Sequence, residues 1–265
     1  MPLNFVVALK QIPNPDLQFA VAPGGKDIKR ETLNYKTNGS DDYALEAAVR
    51  LKEKHGGRVV AVTVGPKRAE SMLREALAKG ADEAVRVSYE DVGGYDVGKT
   101  ARVLAAAVKT IPHDLVLTGV QSDDLVDSAT GALVAGILGL PHVSVVTRIE
   151  VQGTGLEVWS ELEGGLSRRY ALALPALASV QFGANVPRYA PLPAIMKASR
   201  QPIKEIAPAA LGVANWDAIA TPYRFSVRRL SPPDAKGHAT MIQGSADEQA
   251  KALAKMLREK GFVRR

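Results

Sequence analysis

Short β-branched runs alternate with amphipathic stretches over the first 140 residues, and that rhythm leaves few folds open to the chain. Asn4 to Leu9 (NFVVAL) and Arg58 to Val64 (RVVAVTV) read as strands, the second bounded by Gly57 and Gly65. Between them a PGG turn at Pro23 to Gly25 sits inside an expected hairpin. It is followed by SDDYALEAAVRLKEKHGG, a helix for which Ser40 is the expected N-cap. Asp41 and Asp42 suit the positive end of its dipole, and Gly56 stops it. In GPKRAESMLREALAKG, Pro66 falls in a first turn, Gly80 closes the helix, and Met72, Leu73, Ala76 and Leu77 share one face. Strand Ala84 to Val87, helix Lys99 to Ile111, strand Asp114 to Thr118 and helix Ser128 to Leu138 continue the series. Such alternation implies an α/β fold with a doubly wound, mostly parallel sheet.

From His142 the pattern changes. HVSVVTRIEV, GLEVWSELEG, LSRRYALALP and ALASVQFG are four strand-like runs parted by glycine or proline turns, so an antiparallel extension of the same sheet is expected. Beyond Phe182 the chain is irregular and punctuated by proline. A strand candidate at Arg224 to Leu230 and an amphipathic helix at Ala246 to Lys260 cannot bury themselves alone and should pack on something else. The expected organisation is therefore a body over residues 1–182, a linker over 183–221 and a C-terminal arm over 222–265.

Composition narrows the function. The 265 residues include no Cys, which removes disulfide scaffolds, thiolate nucleophiles, Cys-ligated zinc and iron–sulfur clusters. The initial apolar run is closed by Lys10 and Pro13, too early for a signal sequence, and no stretch approaches the ~18 apolar residues of a membrane span. A cytoplasmic protein without a transmembrane segment is expected. Net charge is +6, unevenly placed, since the stretch from Lys197 to Arg265 carries 13 basic and 6 acidic side chains. Few aromatics, Trp216, Tyr223 and Phe225 among them, could stack on bases there, so a solvated arm is the better reading and no nucleic-acid partner is expected.

Gly93, Gly98, Lys99 and Thr100 satisfy the phosphate-loop pattern G-x-x-x-x-G-K-[ST]. The pattern fails in context. Glu90, Asp91 and Asp96 crowd the loop with negative charge, the next strand ends without a metal-holding Asp, and a helix starting at Tyr95 or Asp96 would place Lys99 inside it. His55, His113, His142 and His238 show no ligand spacing, so no metal site is expected, and no G-x-S-x-G elbow anchors a hydrolase. Lys10 follows the first strand and could reach a cleft, although a solvated lysine is the commoner reading. The loop GVQSDDLVDSATGALVAG runs off a strand into a helix, where Ser128, Thr130, Gly131 and their amides would either form an anion site or merely cap the helix. In an open parallel sheet that loop lies at the carboxyl edge, where ligands bind.

Four stretches resemble the β subunit of electron transfer flavoprotein: VVALKQIP, SDDYALEAAVRLKE with VVAVTVGP, LVLTGVQSDDLVDSATGALVAGILGLP and VPRYAPLPAIMKASRQPI. The tail RFSVRRLSPPDAKGHATMIQG is similar to the bacterial members. The resemblance implies a Rossmann-like adenine-nucleotide-binding fold without catalysis of its own. Its partner would be an α subunit that holds FAD, while this chain holds an AMP with no redox role. The pair would take electrons from flavin-dependent dehydrogenases, of acyl-CoA or amine type, to a membrane quinone oxidoreductase. The implied AMP contacts are Ala8, Asn38, Gly39, Ser40, Asp41, Val64, Gln121, Ser122, Asp123, Asp124, Asp127, Ser128, Ala129, Thr130, Gly131 and Ala132. The docking loop maps to Pro187 to Lys197, with Leu192 as the anchor and Ile195 and Met196 beside it, and the arm would pack on the α subunit. Many relatives have Asn-Pro, an aromatic and Cys where this chain has Asn38-Gly39-Ser40-Asp41. The chain also lacks the D-G-D-T-A-Q-V-G pattern of bifurcating relatives that hold a second FAD. Electron bifurcation and a free-standing nucleotide-binding module are the alternatives.

Overall fold

A strand that is apolar on both faces needs cover on both sides, and LNFVVA, with Asn4 its one polar residue, is such a strand. In the computed structural model it forms β1 (Leu3–Ala8): Phe5 and Val7 enter one buried layer, Val6 and Ala8 the other. The structure describes residues 2–263 apart from 15, 17–18, 31–32, 90–95, 214, 216–217, 220–225 and 233–238. After β1, β2 (Gln11–Pro13) and β3 (Tyr35–Thr37) make a separate antiparallel pair. Then come α1 (Gly39–His55), β4 (Gly57–Gly65), α2 (Glu70–Lys79), β5 (Glu83–Ser88), α3 (Val97–Lys109), β6 (Leu115–Gly119) and α4 (Thr130–Leu138). The series continues with β7 (His142–Gln152), β8 (Gly155–Glu161), β9 (Ser167–Ala173), β10 (Ala176–Val180), α5 (Leu192–Ala198), β11 (Lys204–Ile206) and α6 (Ala246–Glu259).

Among the described residues, nine strands form one sheet in the order β11-β5-β4-β1-β6-β10-β7-β8-β9. Every pairing is parallel except β7 with β8 and β8 with β9. The doubly wound, mostly parallel sheet with an antiparallel extension is thus present. The residues of α1 and α2 share a buried layer with Phe5 and Val7, those of α3 and α4 the layer with Val6 and Ala8. Strand order reverses between β1 and β6, because the chain leaves β1 toward β4 and later returns past it. No described helix is long and apolar enough to cross a membrane.

Local expectations are met at several ends. Gly56, at φ 76°, closes α1, and Gly80 closes α2. Asp96 caps α3 by accepting from the Lys99 amide at 2.9 Å, so Gly98, Lys99 and Thr100 lie inside the first turn of a helix. Residues 90–95 of the phosphate-loop pattern lie outside the described ones.

Other expectations are corrected. Ser40 is not the cap of α1: Asn38, in extended backbone, precedes the helix and Ser40 is buried inside it. Ser128 does not begin α4, because its φ of 52° places it before the helix and Ala129 takes the cap position. The run ALASV does not join the antiparallel extension. All five residues are buried and β10 inserts parallel between β6 and β7, as a run without polar alternation should. The PGG turn does sit in a short hairpin, made by the antiparallel bridge between Val21 and Ile28 with hydrogen bonds from Ala22 N to Asp27 O and from Lys29 N to Ala20 O, both 2.8 Å. In the candidate strand Arg224 to Leu230, residues 226–230 carry no strand and 224–225 lie outside the described residues. Among the described residues, the stretch from Gly183 to Leu211 holds the helix α5, the edge strand β11, which pairs with β5, and a 3-10 helix at Pro208–Leu211.

Candidate functional site at the fork of β1 and β6

Where β1 and β6 part company, the helices that follow them lie on opposite faces of the sheet, and the crevice between falls at the carboxyl edge. Asp41 closes the base of that crevice. It is buried, and its carboxylate accepts from the Lys10 amide after β1 (2.6 Å), the Gly119 amide ending β6 (3.1 Å) and Asn38 Nδ2 (3.0 Å). Burial pushes its carboxyl up to about 7, against the pull of those three donors and of the Lys10 charge. Gly119 makes the approach possible, since a Cβ there would stand 2.2 Å from Ser40 Oγ and 2.3 Å from Asp41 Oδ1.

Asn38 ties the second loop to the first. Its Nδ2 also donates to Gln121 O (2.9 Å), and its Oδ1 accepts from the Asp123 amide (2.9 Å). Ser40 Oγ donates to the same Gln121 carbonyl, and Asp123 Oδ2 accepts from the Gly39 amide at 3.3 Å. The start of α1 is therefore satisfied by a carboxylate 84 residues further along the chain. Lys10 does reach the cleft: Nζ donates to Asp124 Oδ1 at 2.6 Å and Ser122 Oγ at 3.2 Å. Lys10 is thus both partly solvated, its side chain 37% exposed, and paired with the loop. It is the site residue that sequence reasoning undervalued, and the acidic pair it could meet, Asp123 and Asp124, was the available signal.

These contacts divide the loop in two. Gln121 to Asp124 is bound into the base of the crevice. From Val126 the backbone turns away, with positive φ at Val126 (58°) and Ser128 (52°), a conformation L-residues seldom adopt. Ser128 Oγ donates to Gln121 Oε1 (3.1 Å), which joins the halves. The first turn of α4, Thr130 with Gly131 and Ala132, has no side-chain cap. Gly131 seats it against β6 and β10, where a Cβ would meet Ser179 Oγ at 2.3 Å and Thr118 Oγ1 at 2.8 Å. Ala8 and Val64, at the carboxyl ends of β1 and β4, belong to the same apolar layer. Thus Asn38, Gly39, Ser40 and Asp41 are brought against Gln121, Ser122, Asp123 and Asp124, with Ser128 to Ala132 at the mouth.

Leu192, Ile195 and Met196 sit apart on α5, 71%, 47% and 55% exposed. Leu192 begins a helix and does not lie in irregular chain: Pro191 is its cap and Pro193 occupies the first turn, where a missing N–H costs nothing. Among the described residues no group of side chains could hold a metal, and His113 and His142 contact only Ile111 O and the Ser144 and Ser179 hydroxyls. His238, Trp216, Tyr223 and Phe225 lie outside the described residues.

Fold and crevice together define a doubly wound α/β protein whose loops converge at the sheet's switch point, with the antiparallel extension as its distinguishing addition. Comparison with known proteins then narrows the class. Residues 27–211 match the model of the electron transfer flavoprotein domain. The electron transfer flavoprotein subunit beta of Methylophilus methylotrophus is 36% identical over 261 residues, 97% of this chain and 98% of that protein. That of Bacillus subtilis is 34% identical over 262 residues, 98% and 100% of the two chains, and that of Homo sapiens 36% over 214, 80% and 84%. The chain belongs to the electron transfer flavoprotein β-subunit family.

Proposed function

We propose that this chain binds AMP at the fork of β1 and β6 and serves as the β partner of a cytoplasmic heterodimer, without catalysis of its own. In that heterodimer an FAD held mainly by the α subunit supplies the redox chemistry. The observation that carries the nucleotide reading is the uncapped first turn of α4, seated by Gly131 beside a fully bonded polar base. Part of the loop's negative charge is offset, because Asp124 is paired with Lys10 and Asp123 accepts from the Gly39 amide. The amides of Thr130 to Ala132 and the Ser128 hydroxyl would receive the phosphate, at the positive end of the helix dipole. Ala8 and Val64 offer apolar surface for the ring. Asn38, Ser40 and Asp41 would act by holding the loop and not by touching the nucleotide.

The exposed face of α5 supports a docking role toward flavin-dependent dehydrogenases of acyl-CoA or amine type, with a quinone oxidoreductase as the acceptor. A single exposed leucine means little, but Leu192, Ile195 and Met196 are all exposed on α5, and Tyr189, 96% exposed, shortly precedes it. Acid extraction of the purified complex, followed by chromatography, should release one AMP per β chain. Extraction of two FAD per heterodimer would favour the bifurcating type, and absence of any nucleotide from the β chain would overturn the reading.

A further inference from the structure

The docking segment is fastened to the body by two arginine clamps, one at each end. On the entry side Arg188 reaches α1: its Nε and Nη2 donate to Glu46 (2.8 and 3.2 Å) and its Nη1 and Nη2 to Glu53 (2.6 and 2.9 Å). Its backbone amide also donates to Glu46 at 3.2 Å. Arg50 completes the fastening by donating from Nε to Glu46 and from Nη2 to Val186 O. Burial of Glu46 works against its charge, yet the hydrogen bonds from Arg188 and Arg50 hold its carboxyl below the ordinary range. On the exit side Arg74 of α2 directs a single nitrogen, Nη1, at the carbonyls of Ala198 (3.2 Å), Ser199 (2.9 Å) and Gln201 (3.3 Å), the negative end of α5.

Between the clamps the segment packs on α2 and the core through small side chains. Only alanines face inward, with Ala198 buried and Ala190 and Ala194 partly buried against the core, while every large apolar side chain of α5 faces out. A seven-residue helix is not stable by itself. Its orientation comes from that packing and from the groups that grip its ends.

We propose that Arg188 and Arg74 are positioning residues for docking: they hold α5 so that Leu192, Ile195 and Met196 meet an electron-donating dehydrogenase as one rigid face. The inference rests on the docking role proposed above for α5. An ordered anchor binds more tightly than one that must be ordered on contact, so loosening either clamp should weaken docking without touching the flavin. Fork geometry matters at Arg188, where a lysine could bridge the two carboxylates but could not give each of them the paired donors that the guanidinium supplies.

The test uses the heterodimer with its FAD, and as electron donor an acyl-CoA or amine dehydrogenase that reduces the wild-type complex. R188Q and R74Q should each raise the half-saturating concentration of the complex by roughly three- to tenfold. The rate at saturation, FAD content and heterodimer yield should stay the same, and Arg188→Lys should restore only part of the loss. In a background with Leu192, Ile195 and Met196 all changed to alanine the same substitutions should add almost nothing, because the face they aim is gone. Hydrogen exchange at the amides of Ile195 and Met196 should quicken in both variants while β1 and β6 amides remain protected. R74Q lies away from buried Glu46, so it carries the test if R188Q does not assemble. Equal effects in both backgrounds, or unaltered concentration dependence and exchange, would overturn the proposal. If Leu192→Ala alone changes nothing, the docking role of α5 fails and the positioning role falls with it.

Discussion

The fork at β1 and β6 and the chain beyond residue 226 are built in opposite ways. At the fork, local signals are weak or misleading, and order comes from partners far apart in sequence: Asn38 with Asp123, Asp41 with Gly119, Lys10 with Asp124. In the arm the local signals are strong. Ser245 and Glu248 form a complete capping box, and Ala250, Leu253, Ala254 and Leu257 fall on one face of α6. Yet α6 buries no residue, and Leu253, Met241, Phe262 and Val263 are exposed. Leu230 N to Gly25 O, at 2.7 Å, is a backbone hydrogen bond that ties the described arm to the body. A fork of this kind specifies its own structure, whereas a helix with good ends and an uncovered apolar stripe specifies a surface for something else.

The sharpest way to break that contrast is to remove the arm. Deletion of residues 226–265 should leave the body folded, with native circular dichroism and a cooperative unfolding transition, because its two buried layers include no residue of that stretch. The same deletion should abolish copurification with the α subunit. A truncated chain recovered with α at full yield would show that the exposed stripe of α6 is not a subunit surface.

The next effect belongs to the fork. Asp41 carries a native pKa of about 7 against 3.8 in the free side chain, so between those values the folded state binds a proton that the unfolded state has lost. Stability from this group is therefore greatest near pH 4, falls as pH rises toward 7 and is flat above. A shift of that size corresponds to a few kcal/mol, on the order of 4. Asp41→Asn should remove this slope. Urea unfolding of the truncated body from pH 4 to 8 measures it as the difference between the two proteins, and parallel curves would mean that the carboxylate is charged throughout and sustained by its three donors.

How far the sequence could be read follows the same divide. The parallel sheet was legible because β-branched runs and helical periodicity repeat at short range, and Gly56, Gly80 and Asp96 end or begin helices by local chemistry. Ser40 looked like a cap because serine before two aspartates usually is one, but the donor groups of α1 are met by Asp123 from another loop, which no local rule can see. β10 was misplaced for a different reason: its run is short and its neighbours are set by topology, although the absence of alternation was a sign of burial on both faces. The prolines at 191 and 193 concealed α5, since the same residues that break a helix inside it are tolerated at its start. The resemblance supplied the candidate nucleotide contacts as one set. What the structure adds is a division within it, between residues that tie the loop down and residues left open at the start of α4.

The smallest expected effect separates the arm's own stability from its use. Ser245 Oγ accepts from the Glu248 amide at 3.4 Å, and Glu248 Oε2 accepts from the Ser245 amide at 2.7 Å, a reciprocal pair at the positive end of α6. Loss of such a cap costs a helix about 1 kcal/mol. In the isolated chain that loss has nothing to propagate into, because α6 makes no buried contact with the body, and the unfolding transition of the body should not move. In the proposed heterodimer the helix would have to be ordered to present Leu253 and Leu257, so the cost of ordering it would appear in the association. Ser245→Ala should then raise the dissociation constant of the two subunits about fivefold, near 1 kcal/mol, while Ser245→Asp, which keeps an acceptor at the cap, should stay close to wild type. Subunit dissociation followed by dilution, set beside thermal unfolding of the β chain alone, reads both quantities. An equal shift in both would place α6 in the body's own cooperative unit, and no shift in either would mean that α6 contributes to neither.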